Sequence, residues 1–286
     1  MQRPIIAVTM GDPAGIGPEI TAKAVRNPQV LKICRPLIIG DKDLKRFKIG
    51  QVSAAAGRAS IEYVEKAIEL ALAKKVDAIV TGPISKAAIN KAGIKFPGHT
   101  ELLAKRTKTK DYAMLFVSDK LWVILVTTHL PLAKVPRAIT KKQVLKTIKL
   151  GHSVRPGKIA VAGLNPHAGE AGLFGNEERR QIIPAIKAAR KLGIKAQGPF
   201  SPDTVFKRAV AGEFDLVVAM YHDQGLIPVK LLSFGRSVNV TVGLPIIRTS
   251  VDHGTGFDIA GRGIADPGSL IEAIKVAVHF ANTRNS

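Results

Sequence analysis

Strand-like and helix-like stretches alternate along this chain from end to end, and this rhythm restricts the fold more than any other feature of the sequence. Pro4–Met10 is a β-rich run ending in a Gly/Pro turn, and a helix follows near Pro18–Val25. Pro36–Gly40 reads as a short strand. Ser60 is placed to cap a helix whose Ile61, Val64, Ile68 and Leu72 fall on one face. Ala78–Thr81 reads as strand, and Thr140 and Gly151 bracket a helix with start and stop signals. Lys158–Leu164, Leu216–Met220 and Val238–Val242 continue the strands; Glu177–Leu192 and Ser269–Ala281 continue the helices. Such a βαβ succession predicts an α/β fold with a largely parallel sheet covered by helices on both faces. Tyr112–Val117 and Leu121–Thr127 flank Ser118-Asp119-Lys120 and read as an antiparallel hairpin, which makes the sheet mixed.

The 286 residues suffice for one large or two modest domains with cores of their own. No stretch approaches the roughly 18 apolar residues of a membrane span. Met1-Gln2-Arg3-Pro4 leads straight into Ile5-Ile6-Ala7-Val8, without the longer apolar segment of a signal peptide. Cys34 is the one cysteine, so no intrachain disulfide forms and a small buried hydrophobe is expected there. These features point to the cytoplasm. The 43 Lys+Arg against 22 Asp+Glu give a net charge of +21. That excess reads as a solvated lysine-rich surface, a field that steers anionic small molecules, or a nucleic-acid-binding face. The basic residues are thinly spread, aromatics are 5%, and no nucleic-acid-binding motif appears, which argues against the last.

Chemistry concentrates after the strands. Gly11-Asp12-Pro13-Ala14-Gly15-Ile16-Gly17-Pro18-Glu19 joins the first strand to the first helix; it is either an ordinary tight turn or a backbone that approaches an anionic ligand. It is not the G-x-G-x-x-G fingerprint. His129, His167 and His222 each follow a predicted strand, and in an open α/β sheet ligands bind at the carboxyl ends of strands. For any one of them a structural role is the simpler reading. The repeated context sets against it a shared metal, three imidazoles with an open position suiting a catalytic Zn²⁺-type site. Gly98-His99-Thr100-Glu101 opens a helix and either caps it or holds a phosphate or carboxylate. Lys230, Asn239 and Arg248 surround the late strands, with Asn239 and Thr241 on one strand face. Asp203 is a helix cap or a proton-handling group, and Asp223 orients an imidazole or moves a proton. Asp252 to Gly263 is a glycine-rich loop with the Asp/His content of a ligand-binding segment.

Together these segments resemble the 4-hydroxythreonine-4-phosphate dehydrogenase family of pyridoxal phosphate synthesis. The resemblance rests on GDPAGIGPE from Gly11, TGPISK from Thr81, GHTE from Gly98, TTHLPL from Thr127, GLNPHAGE from Gly163, MYHDQG from Met220 and RTSVDHGT from Arg248. The first turn and Asp258-Ile259-Ala260-Gly261-Arg262-Gly263 are also similar to the NAD-contacting segments of the isocitrate and isopropylmalate dehydrogenase fold. The resemblance implies two α/β/α domains, 1–97 with 245–286 and 98–244. It implies metal ligands His129, His167 and His222, and substrate-binding residues His99, Thr100, Lys230, Asn239 and Arg248. It implies NAD, with NADP as the alternative, held by Gly11, Asp12, His253, Gly254 and Asp258. The divalent metal is expected to be Zn²⁺, with Mg²⁺ and Co²⁺ as alternatives.

A homodimer with a shared active site is implied as well, His222 being the candidate to cross between subunits. The implied reaction is oxidation and decarboxylation of a phosphorylated hydroxy acid, with Asp203 and Asp223 the candidate proton-transfer groups. The connection from Asp41 to Ser60 is shorter than family members carry, which bears on substrate choice among phosphorylated hydroxythreonine, threonate and erythronate. Rival readings are a phosphate acyltransferase, which would leave the three histidines unexplained, and a basic nucleic-acid-binding protein, whose affinity would fall steeply with salt.

Overall fold

The computed structural model describes residues 3–95, 98–233 and 235–285. Its elements begin with β1 (Ile5–Thr9), α1 (Gly17–Val25), α2 (Pro28–Ile33), β2 (Arg35–Ile39), α3 (Ala54–Leu72), β3 (Ala78–Thr81), α4 (Lys86–Lys91) and α5 (His99–Arg106). Then come β4 (Ala113–Val117), β5 (Trp122–Leu125), α6 (Val135–Ala138), α7 (Lys141–Val154), β6 (Ile159–Ala162) and α8 (Ile183–Lys191). The chain continues through β7 (Ala196–Phe200), α9 (Pro202–Val210), β8 (Leu216–Ala219) and α10 (His222–Ser233), and closes with β9 (Val238–Val242), β10 (Ile247–Ser250) and α11 (Gly268–Asn285). Among the described residues no helix is long and apolar enough to cross a membrane.

The chain forms two compact units, residues 1–110 with 238–286 and residues 111–237. The divisions read from the sequence at 97/98 and 244/245 thus fall at 110/111 and 237/238, and α5 and β9 belong to the first unit. There the strands run β2-β1-β3-β10-β9. β1, β2, β3 and β10 are mutually parallel, and β9 is antiparallel to β10. Ala7, Val64, Ile68, Ile79 and Leu103 are core residues of this unit. The second unit orders its strands β4-β5-β8-β6-β7, with β4/β5 the expected antiparallel hairpin and the rest parallel. Val123, Leu125, Ala160, Val217 and Leu226 pack at its centre.

Several boundaries differ from the sequence reading for identifiable reasons. Ser53, not Ser60, caps α3 by accepting the Ala56 N–H at 3.1 Å; Ser60 is interior and donates to the Gly57 carbonyl. Gly151 does not stop α7, which runs on to Val154; its bare Cα faces Leu216 and Ile124, where a Cβ would lie 2.5 Å from a Leu216 methyl. The Glu177–Leu192 helix starts as a π turn at Glu178–Ile182 before α8. Pro184, in the first turn of α8, cannot donate to the carbonyl of Arg180, so no regular helical bond forms there. Cys34 is buried as expected, and burial pushes its thiol up to about 11.

Candidate active site

In the first unit the loops after β1, β3 and β10 leave the carboxyl ends of neighbouring parallel strands. The β1 loop proves to be a tight protein-packed turn. The Asp12 N–H donates to the Pro83 carbonyl at 2.8 Å, and a Cβ on Gly11, at φ 74°, would meet that same carbonyl at 2.2 Å. The Ala14, Gly15 and Ile16 N–H groups are taken by Asp12 Oδ1, the Asp12 carbonyl and the Thr255 carbonyl. Gly11 and Asp12 are buried, and burial raises the Asp12 carboxyl above its ordinary range. Of the residues expected at a cofactor, His253, Gly254 and Asp258 are the exposed ones. Their loop is clamped to α1: Lys23 Nζ donates to the Gly263 and Ala265 carbonyls at 2.8 Å, and Glu19 accepts both residues' N–H groups.

The β3 and β10 loops line a cavity of about 160 Å³ with Thr81, Lys86, His99, Ser250 and His253 on its wall. That volume suits a small anion rather than a dinucleotide, for even drug-sized ligands take roughly 300–1,000 Å³. Arg248, 2% exposed, is the largest of the fully buried side chains among the described residues. Its Nε and Nη2 donate to Thr81 Oγ1 at 3.2 and 2.8 Å, and its Nη1 to Thr241 Oγ1 at 3.1 Å. Thr241 lies 3.5 Å from Thr100, the first unit's hydroxyls thus forming one chain around the guanidinium. Among the described residues no carboxylate lies within ion-pair distance of Arg248. Burial pulls it down to about 9, with the charge of Glu101 opposing, so it is a cation at neutral pH. The three bonds leave one N–H on each terminal nitrogen, the pair that grips a phosphate or carboxylate.

His99 is neutral beside this cation. Burial first, then the charges of Arg248 and Lys86, hold it well below the ordinary imidazole range. Asn239 is half-buried on β9, and its Oδ1 is shielded from solvent with no donor reaching it among the described residues. Lys86 and Thr81 were not singled out from the sequence, and Thr241 was named there only as sharing a strand face with Asn239. TGPISK marked the first two, but neither a lysine at a helix start nor threonines inside strands announce an anion pocket.

In the second unit β5, β8 and β6 are consecutive parallel strands, and His129, His222 and His167 follow their carboxyl ends. The rings of His129 and His222 lie 5.7 Å apart. His222 Nδ1 is 2.7 Å from Asp223 Oδ1, an arrangement in which the carboxylate accepts the Nδ1 proton and Nε2 is the nitrogen that could hold a metal. His167 does not join them. It stands with φ 51° at the head of a left-handed turn through Ala171, its ring 6.0 Å from Phe174. Among the described residues no group of three metal-ligating side chains gathers. The donor chemistry and the held tautomer fit a metal at His129 and His222, with a further ligand to be brought in. Asp203 is exposed in the first turn of α9 and accepts from Ser201 Oγ at 2.5 Å, the geometry of a helix start. Lys230 is exposed on α10.

The family model for pyridoxal phosphate biosynthetic protein PdxA matches residues 10–277. The 4-hydroxythreonine-4-phosphate dehydrogenase of Desulforapulum autotrophicum is 46% identical, over 96% of this chain and 95% of its own. The D-threonate 4-phosphate dehydrogenase of Cupriavidus necator is 46% identical over 98% of both. Its alignment spans 327 positions, more than the whole chain here, so that relative carries residues this chain lacks. The crystal structure of 4-hydroxythreonine-4-phosphate dehydrogenase from Klebsiella pneumoniae superposes with a TM-score of 0.88 at 41% identity, covering 98% of each chain. A β-decarboxylating dehydrogenase from Thermococcus kodakarensis, 18% identical, shares the fold at a TM-score of 0.52 over 99% of this chain and 84% of its own. With a family model matched over nearly its whole length and relatives this similar end to end, the chain belongs to the PdxA family.

Proposed function

We propose that the chain is a dehydrogenase that oxidises the C3 hydroxyl of 4-phosphooxy-L-threonine with NAD and releases CO₂, giving 3-amino-2-oxopropyl phosphate for pyridoxal 5'-phosphate biosynthesis in the cytoplasm. Arg248 is the observation that carries this reading. A buried guanidinium held by hydroxyls alone is costly to the fold unless an anion completes it. Arg248 and Lys86 would bind the phosphate, neutral His99 would donate to it, and Lys230 would meet the carboxylate. Asn239 Oδ1 would accept from the group at C2. An ammonium and a hydroxyl both satisfy that oxygen, and a relative named for D-threonate 4-phosphate is as similar as one named for hydroxythreonine phosphate. The threonate or erythronate phosphates are therefore the second reading.

NAD, or NADP in its place, would lie along the exposed His253–Asp258 loop. When bound, the nicotinamide accepts the hydride and a divalent ion at the imidazoles, Zn²⁺ before Mg²⁺ or Co²⁺, acidifies the substrate hydroxyl. Asp223 keeps His222 in the ligating tautomer. We take the enzyme to be a homodimer. Exposed apolar side chains accompany each histidine loop: Leu130 and Leu132, Leu173 and Phe174, Ile227 and Leu231. Since His129 and His222 pair within one chain, His167 replaces His222 as the ligand supplied across the dimer. The test is NADH formation with the three phosphorylated substrates, NAD or NADP, before and after chelation. Full activity in metal-free protein overturns the metal site, and equal turnover of a phosphate-free analogue overturns the anion pocket.

A further inference from the structure

We propose that Gln224 is a positioning residue that, through the Met220 backbone, fixes the three histidine-bearing strand ends relative to one another; this rests on the metal reading above. The β5–β8 ladder registers as far as Leu125↔Ala219 and the β8–β6 ladder as far as Val161↔Val218. Past those points side chains add to the backbone bonds. The Thr127 N–H and hydroxyl both donate to the Met220 carbonyl, at 3.2 and 2.7 Å. The Met220 N–H donates to Gln224 Oε1 at 2.6 Å, and Gln224 Nε2 donates to the Gly163 carbonyl at 2.8 Å. The backbone of one residue is thereby tied to both neighbouring strand ends, two residues before His129, two before His222 and four before His167.

The network continues under the left-handed turn. Glu178, 1% exposed, accepts the Leu164 and Asn165 N–H groups at 2.8 Å each and Asn165 Nδ2 at 3.0 Å. A Cβ on Gly169 would sit 2.7 Å from its Oε2, so the turn rests directly on this carboxylate. The Gln224 amide accepts from Met220 and donates to Gly163 at once, which an ionised carboxylate cannot do. A carboxylate at 224 keeps the shape and the first bond but sets an oxygen against the Gly163 carbonyl.

The experiment compares wild type with Gln224→Glu and Thr127→Val in the full chain. It reads Zn²⁺ affinity by chelator competition, the visible absorption of the Co²⁺-loaded protein, and thermal melting without metal. Inorganic phosphate binding serves as the control for the Arg248 pocket. Removing a supporting group of this kind weakens metal binding about 10–100-fold. We expect that loss together with an altered Co²⁺ spectrum, at unchanged phosphate affinity. If Gln224→Glu does not fold, Thr127→Val decides, since it removes one hydroxyl and keeps the backbone bond. Wild-type Zn²⁺ affinity and Co²⁺ spectrum in the folded variants, whatever their melting, overturn the proposal. If the variants keep the affinity that His222→Ala loses, this inference alone fails; if wild type binds neither ion, the metal reading fails and takes it along.

Discussion

Arg248 sets function against stability at a single position. Its guanidinium is 2% exposed with hydroxyls as its only hydrogen-bond acceptors among the described residues. Taking an ion out of water costs several kcal/mol, a cost that an apolar side chain of similar volume does not carry. Arg248→Met should therefore melt at or above the wild-type temperature while inorganic phosphate binding, read by calorimetry, disappears. Arg248→Lys should keep the charge yet lose the two-pronged grip, weakening binding by roughly 1.5–3 kcal/mol. A melting temperature several degrees below wild type in the Met variant would show that the threonine bonds outweigh the desolvation.

His99 gives the same pocket a pH signature. Its folded pKa lies well below its ordinary 6.5, from burial and then the charges of Arg248 and Lys86. As pH falls through 6.5 the unfolded chain takes up a proton that the folded chain refuses. The unfolded state then binds more protons, so stability drops below about pH 6.5 and is fully present above it. His99→Gln should flatten that part of the acid limb in melts from about pH 8 to about pH 5. An acid limb identical to wild type would contradict the assignment.

At the scale of elements, α3 shows where local signals mislead. Ser60 offers a capping hydroxyl just before an apolar face, yet the helix starts at Ala54 and runs through Gly57. The glycine is there for α4: a Cβ would lie 2.2 Å from the Ala88 carbonyl, and backbone cannot yield as a side-chain end can. Gly57→Ala should cost about 1–3 kcal/mol despite alanine's better helix propensity, read by urea unfolding. Stabilisation instead would mean that α4 moves aside easily. The strands missed from sequence are those that break the apolar pattern. β7 carries Gly198 and Pro199 and lies at the end of its strand order, where proline is tolerated. β10 is Ile-Arg-Thr-Ser, polar because it delivers Arg248 to the pocket. β1, β3 and β9 were legible because their chemistry is placed in the loops that follow or on one face.

At the scale of the whole molecule, sequence spacing located the three histidine loops but not their partnership. His129 and His222 meet because β5 and β8 are adjacent, an order that sequence distance does not reveal. That pairing reshapes the expectation for the proposed dimer. If each site takes His129 and His222 from one chain and His167 from the other, mixing inactive His129→Ala and His167→Ala proteins restores function. In a mixed dimer one site then carries both defects and the other none. With random subunit exchange, half the dimers are mixed and about a quarter of all sites are intact. Mixing His129→Ala with His222→Ala should restore nothing, because every site keeps one defect. The reverse pattern would return the crossing role to His222. Recovery from neither mixture, with exchange confirmed by mass-tagged subunits, would place all three ligands on one chain.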